Sequence, residues 1–224
     1  MTTRVTARWS RMVLLAYRRV GQPRPNVVRV KSVTSTQDLA RELPIGSVVV
    51  AEHQTAGRGR LDRRWESPPG TALLASFVLP PNPLLSLAAG VAAAQACGGE
   101  VRLKWPNDLL LRGAKVGGIL VEVMAAKAIC GIGINLTWAP EGAAMLNQDR
   151  DQLLDTLRVE LKQWSFAKPE VVLARWRELS DTLGRKVRVE MAGKVVEGIA
   201  QDIGSEGQLI VEGTPVTFGS VIHL

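Results

Sequence analysis

From Lys186 to the C-terminus the chain changes character. Apolar and polar residues alternate in short stretches, with turns at Gly193, Gly204, Gly207 and Gly213. Period-two patterning broken by glycine makes hairpins, and about forty residues of it predict a small β-barrel. Upstream the pattern is different: apolar strands alternate with helical segments. The 224 residues therefore divide into a basic flank at 1–26, a mixed body at 27–183 and a small β domain at 184–224. That length suits one substantial domain plus a small one.

Within the body, alternating Val27–Val33 reads as a half-buried strand. Ser32–Leu43 reads as a helix with a hydroxyl N-cap, ended by Pro44. Ser47–Glu52 and Ala72–Leu79 read as apolar strands, and Leu84–Cys97 as a buried, alanine-rich helix stopped by Gly98-Gly99. Val101–Lys104, Leu109–Leu111, Lys115–Val123 and Ala128–Leu136 read as strands. Gln148–Trp164 and Pro169–Leu183 read as amphipathic helices, the second opened by a proline at N1. The expected fold class is α+β, a mixed β-sheet flanked by helices.

Composition narrows the function. The chain is 46% hydrophobic, yet no apolar run approaches the ~20 residues of a membrane span. Cys97 and Cys130 have no metal-type spacing and read as buried thiols of a reducing compartment, the cytoplasm. With only His53 and His223, a histidine-rich metal site is out of reach. The net charge of +7 suggests nucleic acid, but its distribution does not. Residues 1–31 carry eight Lys and Arg and no acid; the other 20 basic residues face 21 acidic ones. That arm reads as an ordinary basic flank, a transit-like peptide or a nucleic-acid contact.

Four clusters can carry chemistry. Ser35-Thr36 can cap a helix or hold a polar ligand at its start. The run Gln54-Thr-Ala-Gly-Arg-Gly-Arg-Leu-Asp-Arg-Arg-Trp65 follows a buried strand, where ligands often bind. Gly57 and Gly59 permit unusual backbone angles or close ligand approach. Arg58, Arg60, Arg63 and Arg64 offer forked donors for phosphate or carboxylate, and Trp65 a stacking face. An ordinary basic turn explains the same run, and Arg63 reads as solvated. In Lys104-Trp-Pro-Asn-Asp108, Asn107 and Asp108 serve either as a capped turn or as base and metal-phosphate contacts. In Lys115-Val-Gly-Gly-Ile119 a lysine stands beside paired glycines, which invite close approach; Gly131-Ile-Gly-Ile-Asn135 repeats the spacing. No P-loop occurs, and Asp62 stands where a dinucleotide fingerprint needs its third glycine. No Ser-His-Asp set is evident. The chemistry implied is electrostatic stabilisation of phosphate.

Taken in order, these motifs resemble the signature of the biotin protein ligases, over about residues 27–224. The resemblance implies a class II synthetase-like catalytic domain of the biotin/lipoate ligase type and an SH3-like C-terminal domain. It implies that biotin and Mg-ATP give biotinyl-5′-AMP, and that the acyl group then passes to a lysine of a biotin carboxyl carrier domain. Ser35, Thr36, Gln37, Gln54, Gly57, Arg58, Gly59, Arg60, Lys115 and Gly118 would surround biotin. Arg58, Arg60 and Lys115 would act in catalysis. Trp65, Asn107, Asp108, Lys115 and Asn135 would hold the adenylate, with Mg2+ near Asp108. Two features depart from the family pattern: Gln37 stands where Asn is usual, and the first 26 residues are too few for a winged-helix repressor domain, so no specific DNA binding and no membrane association are expected. The lipoate ligases share the fold; the Gly-Arg-Gly-Arg and Lys-Trp-Pro-Asn-Asp pair favours biotin. A nucleic-acid module using the basic arm is the alternative of a different class.

Overall fold

The computed structural model describes residues 27–191 and 193–224; the basic arm and its three readings lie outside the described residues. The body is built on a seven-stranded sheet. In chain order its strands are β1 (Val27–Val33), β2 (Val48–Gln54), β5 (Ala72–Leu79), β6 (Val101–Lys104), β7 (Asp108–Leu111), β8 (Ala114–Val123) and β9 (Ala128–Asn135). They lie side by side as β1-β2-β5-β9-β8-β7-β6. The β1–β2 pair is parallel and the other pairs are antiparallel. The mixed sheet expected from the sequence is therefore present.

Side chains alternate across this sheet. Val48, Val50, Leu73, Ala75, Phe77, Cys130, Ile132 and Ile134 face the main core. Three helices cover that face: α2 (Leu85–Cys97), α3 (Arg150–Ser165) and α4 (Pro169–Leu179). Helix α2 is buried on nearly all sides, as an all-apolar helix must be. The other face carries α1 (Thr36–Ala40), whose Ala40 packs on Val49, Val78 and Ile129. The same face is otherwise open, and the candidate site lies there.

Two helices are shorter than their patterns suggest. Ser32 and Val33 stay paired with His53 and Gln54 in the sheet, so α1 starts only after its N-cap Ser35. Helix α4 stops at Leu179 because Ser180 turns extended and bridges Leu103 at the sheet edge. The loop from Gln54 to Trp65 is more ordered than a plain loop. It folds into a small hairpin of β3 (Gly57–Arg58) and β4 (Arg64–Trp65).

The tail forms a five-stranded antiparallel sheet of β10 (Lys186–Met191), β11 (Lys194–Ile203), β12 (Leu209–Val211), β13 (Thr214–Val216) and β14 (Ser220–His223). Its order is β13-β12-β11-β10-β14, bent by an irregularity between Ala200 and Asp202. Val187, Val189, Ile203 and Leu209 join the same apolar core as the helices, so the two sheets share one interior. Polar pins cross the seam. Trp105 Nε1 donates to the Gly207 carbonyl at 3.0 Å, and Arg177 Nη2 to the Ile203 carbonyl at 2.6 Å.

Both cysteines are free and buried, and burial pushes each thiol up to about 12. The thiolate is the nucleophile. Neither should react with iodoacetamide at neutral pH in the native protein, and both should label once the chain unfolds, as read by intact mass.

Candidate active site

On the open face, β8 and β9 present glycine where other strands present side chains. Gly118 pairs directly with Gly133, and Gly131 lies two residues before it on the same face. None of the three has a positive φ, so their value is space rather than backbone freedom. Together they floor a cavity of about 170 Å3 between α1, the β3–β4 hairpin, the β6–β7 corner and β14.

The wall nearest α1 is polar and uncharged. Ser35, Thr36 and Gln37 are all buried there at the helix start. Gln54 Oε1 accepts from the Thr36 backbone N–H at 2.7 Å and from Thr36 Oγ1 at 3.0 Å. Thr36 Oγ1 also meets Ser76 Oγ at 2.7 Å. Ser35 Oγ accepts the Gln37 N–H at 3.3 Å, the N-cap bond that starts α1. Gln37 Nε2 donates to the Leu120 carbonyl at 3.2 Å, but Gln37 Oε1 is buried without a partner. An unsatisfied buried acceptor costs roughly 1–3 kcal/mol. A ligand N–H beside it would remove that cost. The longer Gln37 side chain fits because Gly131 has no Cβ; a Cβ there would stand 3.1 Å from the Gln37 amide carbon.

The other half of the cavity is cationic. Arg58, Arg60, Arg63, Arg64, Lys104 and Lys115 line it against one carboxylate, Asp108. Lys115 Nζ lies 2.6 Å from Asp108 Oδ1. Arg60 Nη1 donates to Asn107 Oδ1 at 3.1 Å, and Asn107 Nδ2 donates to the Ile119 carbonyl at 2.8 Å. Burial pulls the Arg60 pKa down from its ordinary value; Asp108 opposes that shift and Arg63 adds to it. Burial likewise lowers Lys104, with Lys115 and Arg63 adding to the shift and Asp108 opposing it. An anion entering this half would relieve the crowding of like charge.

The hairpin over the cavity is shaped by contacts the motif alone does not reveal. Neither Gly57 nor Gly59 has a positive φ, so the expected unusual backbone angles are not found there. Gly57 is needed for space, since a Cβ would collide with the Trp65 carbonyl. The left-handed residues are Leu61 (φ 54°) and Asp62 (φ 57°), at the tip, where Arg63 N–H bonds the Arg60 carbonyl at 3.2 Å. Two consecutive left-handed residues make the tight hairpin turn that glycine or asparagine normally occupies. The Trp65 indole lies on the glycine floor. A Cβ on Gly133 would stand 2.7 Å from its ring, and the indole N–H is buried without a partner.

Most of the expected site residues converge on this cavity: Ser35, Thr36, Gln37, Gln54, Arg58, Gly59, Arg60, Trp65, Asn107, Asp108, Lys115 and Gly118 all line it. Gly57 sits behind the lining, under Trp65. Asn135 is placed elsewhere: it is buried, and its Nδ2 donates to the Ala144 carbonyl at 3.0 Å, which pins the following loop. Arg58 reaches the cavity edge, but its guanidinium bridges Asp38 at 2.8 Å and Glu122 at 3.3 Å. Arg63, expected to be solvated, donates to Ser220 Oγ at 2.9 Å. Lys104 and Gly133, which the sequence placed in its motifs without a role, also line the cavity, as does the C-terminal segment Gly219–Val221, which the sequence did not mark. The repeat Gly131-x-Gly133 signalled two of the floor positions. Nothing in the chain signalled Ser220, which lies 157 residues from Arg63.

A neutral polar pocket opening into a cationic trough suits an extended ligand with a hydrogen-bonding head and an anionic tail, the form of a carboxylate joined to a nucleotide. Comparison with known proteins agrees. Residues 27–137 match the biotin/lipoate A/B protein ligase family, and 182–224 match the biotin protein ligase C-terminal domain. The biotin--[acetyl-CoA-carboxylase] ligase of Mycobacterium tuberculosis is 37% identical over 80% of this chain and 79% of its own length. The bifunctional ligase/repressor BirA of Escherichia coli is 34% identical over 78% of this chain, which covers 64% of that longer protein. The structure of the Aquifex aeolicus biotin protein ligase in complex with biotin and ATP superposes with a TM-score of 0.79 at 27% identity, over 89% of this chain and 99% of that one. The chain belongs to the biotin protein ligases.

Proposed function

We propose that this cavity binds biotin and ATP, joins them as biotinyl-5′-AMP and passes the biotinyl group to a lysine of a biotin carboxyl carrier domain. The observation that carries the reading is the orphaned Gln37 Oε1 beside the Ser35 hydroxyl and the Gln54 amide, above a glycine floor. A cyclic urea presents one carbonyl and two N–H groups. Gln37 Oε1 accepts from an N–H, while the Ser35 hydroxyl and Gln54 Nε2 donate to the carbonyl. The valeryl chain then runs from Gly131 toward Lys115, alongside the Trp65 indole that covers Gly133.

The first step brings a carboxylate oxygen to the α-phosphorus. A C–O–P bond forms, and the bond to the β-phosphate breaks with its electron pair leaving on pyrophosphate. Two anions must meet, so Lys115 and Arg60 lower the repulsion and stabilise the developing charge. Trp65 and Asn107 border the adenine. Arg58, held by two carboxylates, acts as a positioning residue that fixes the base of the hairpin. In the second step the acceptor amine attacks the acyl carbon and AMP leaves.

Magnesium fits as a companion of the nucleotide. Among the described residues no cluster of three His, Cys, Asp or Glu could hold a metal alone. Mg2+ commonly uses one or two carboxylates plus substrate phosphates. Asp108, the one carboxylate lining the cavity, would hold it there, and its charge would offset that of the phosphates.

In this reading residues 27–183 form the catalytic domain and 184–224 the SH3-like domain. The free, buried cysteines suit a reducing cytoplasm. Among the described residues no helix is long and apolar enough to cross a membrane.

The test is direct. Incubation with biotin, Mg-ATP and a carboxyl carrier domain should add one biotinyl mass to one lysine. Lipoate in place of biotin should add none. Modification by lipoate alone would overturn the assignment.

A further inference from the structure

The outer edge of β6 is closed by the connector that leads from α4 to β10. Ser180 bridges Leu103 in the parallel sense, and the Asp181 N–H donates to the Leu103 carbonyl at 2.8 Å. The backbone ladder stops there, and a side chain takes over one step further on. Thr182, fully buried, accepts the Trp105 N–H on Oγ1 at 3.0 Å. Trp105 is itself buried and opens the corner Trp105-Pro106-Asn107 that lines the cavity. Two residues on, Asn107 holds Arg60 and the Ile119 carbonyl. The course of this corner therefore depends on one hydroxyl that does not itself line the cavity.

That hydroxyl has a second partner. His223 Nε2 lies 3.3 Å from Thr182 Oγ1, and His223 Nδ1 lies 3.7 Å from Asp181 Oδ2. Because Oγ1 accepts from Trp105, its own proton is free to point at Nε2. Nε2 accepts it when the ring is neutral and carries its proton on Nδ1, toward Asp181. No buried donor is then left over between Trp105 and the ring. His223 belongs to β14, opposite the apolar Val187 of β10. The charged groups around it are Lys104 at the end of β6 and Asp181 and Arg185 of the connector. Burial, then Lys104 and Arg185, pull its pKa below the ordinary histidine value against the opposing pull of Asp181, so the ring is neutral at pH 7. A protonated ring would be a donor at both nitrogens. The Thr182 proton would lose Nε2, its one acceptor among the described residues.

We propose that Thr182 is a positioning residue for adenylate formation, with His223 holding its hydroxyl in the orientation that receives Trp105. The proposal rests on the ligase reading above and concerns the first half-reaction only. Neither side chain touches substrate. Without the hydroxyl the Trp105 N–H is a buried donor with no acceptor, and the corner turns to find one. Asn107 moves with it, away from Arg60 and from the adenine it borders. Protonation of His223 acts the same way at one remove. The new ring N–H displaces the Thr182 proton, and the hydroxyl swings off the Trp105 N–H. The neutral ring supports the native arrangement fully above the ordinary histidine pKa, and that support fades as the pH falls through the lower folded value. The pocket at Ser35 and Gln54 stands at the β5 end of the sheet, across β9, β8 and β7 from this relay.

Thr182→Val removes the hydroxyl at nearly the same volume, Thr182→Ser keeps it, and His223→Gln supplies an acceptor that does not titrate. Adenylate formation, calorimetric titration with biotin and thermal melting are measured on each. In the valine variant the KM for Mg-ATP should rise about tenfold, near the low end of what an orphaned buried donor costs. Biotin affinity should stay within about twofold, and the serine variant should recover most of the loss. From about pH 7.5 to about pH 5.5 the KM for Mg-ATP should climb at least about threefold more in the unsubstituted protein than in His223→Gln. A valine variant that uses ATP normally, or that loses biotin and ATP in step with its melting temperature, overturns the role of Thr182. An equal acid rise in His223→Gln overturns that of His223. Should Thr182→Val fail to fold, the His223→Gln comparison decides alone, since it leaves the hydroxyl in place. These failures leave the ligase reading standing. Should the unsubstituted protein form no adenylate at all, that reading falls and this proposal with it.

Discussion

Lys115→Met should form biotinyl-5′-AMP about 10²–10³-fold more slowly than the unsubstituted enzyme, the scale of removing one preorganised charge donor from a transition state. The loss has two sources. The ammonium that offsets two meeting anions is gone. Asp108, 2.6 Å away in the intact protein, is also left facing the incoming phosphate as an uncompensated negative charge. The second effect is separable. At saturating Mg2+, which compensates for losing the carboxylate proposed to hold the ion, Asp108→Asn added to Lys115→Met should restore part of the rate, so the two changes combine non-additively. Stability should hardly move, because the pair is partly exposed and such pairs contribute only about 0–1 kcal/mol. Single-turnover adenylate formation, with thermal melting alongside, checks both halves. A double variant slower than Lys115→Met alone would mean that Asp108 serves the phosphates or Mg2+ more than it restrains Lys115.

Much of the architecture follows from local pattern. Strand period, proline and glycine stops, and the shift to short alternating strands after Lys186 predict both sheets and α2 to α4. What fails is set by tertiary contact. Ser32 and Val33 look able to start a helix, but pairing with β2 holds them in the sheet. The hairpin shows the same limit. Gly57 and Gly59 suggested backbone freedom, while the left-handed positions fall on Leu61, which carries no such signal, and Asp62, which carries a weak one. Motif residues were legible because each sits at a strand end or helix start with unusual chemistry. Arg58 was legible as a cation near the site but not as one bound to Asp38 and Glu122, and Asn135 was not legible as a loop pin. The C-terminal wall was invisible because Ser220 is an ordinary residue in an ordinary strand until the fold places Arg63 against it.

Neighbouring glycines on opposite faces of β8 and β9 should respond to substitution in opposite ways. Gly133 faces the cavity and Gly117 faces the helices, one strand apart. A Cβ at Gly133 would stand 2.7 Å from the Trp65 ring and would push that indole toward the path proposed for the biotinyl chain. A Cβ at Gly117 would stand 2.8 Å from the Gly133 carbonyl and 2.9 Å from a Leu109 methyl, both inside the sheet and core. Backbone and packed core give way less easily than an indole at a cavity mouth, and overpacking a core costs about 1–3 kcal/mol. Gly133→Val should therefore weaken biotin binding at least ~100-fold. Its melting temperature should fall little, because a β-branched residue suits a strand and Trp65 can lift. Gly117→Ala should lower the melting temperature by several degrees, about the effect of 1–2 kcal/mol on a domain of this size. Whatever protein still folds should keep near-normal biotin affinity. Calorimetric titration with biotin and thermal melting of the two variants decide the matter. If both lost stability and neither lost affinity selectively, the glycine floor would be a packing device of the sheet rather than the bed of the ligand.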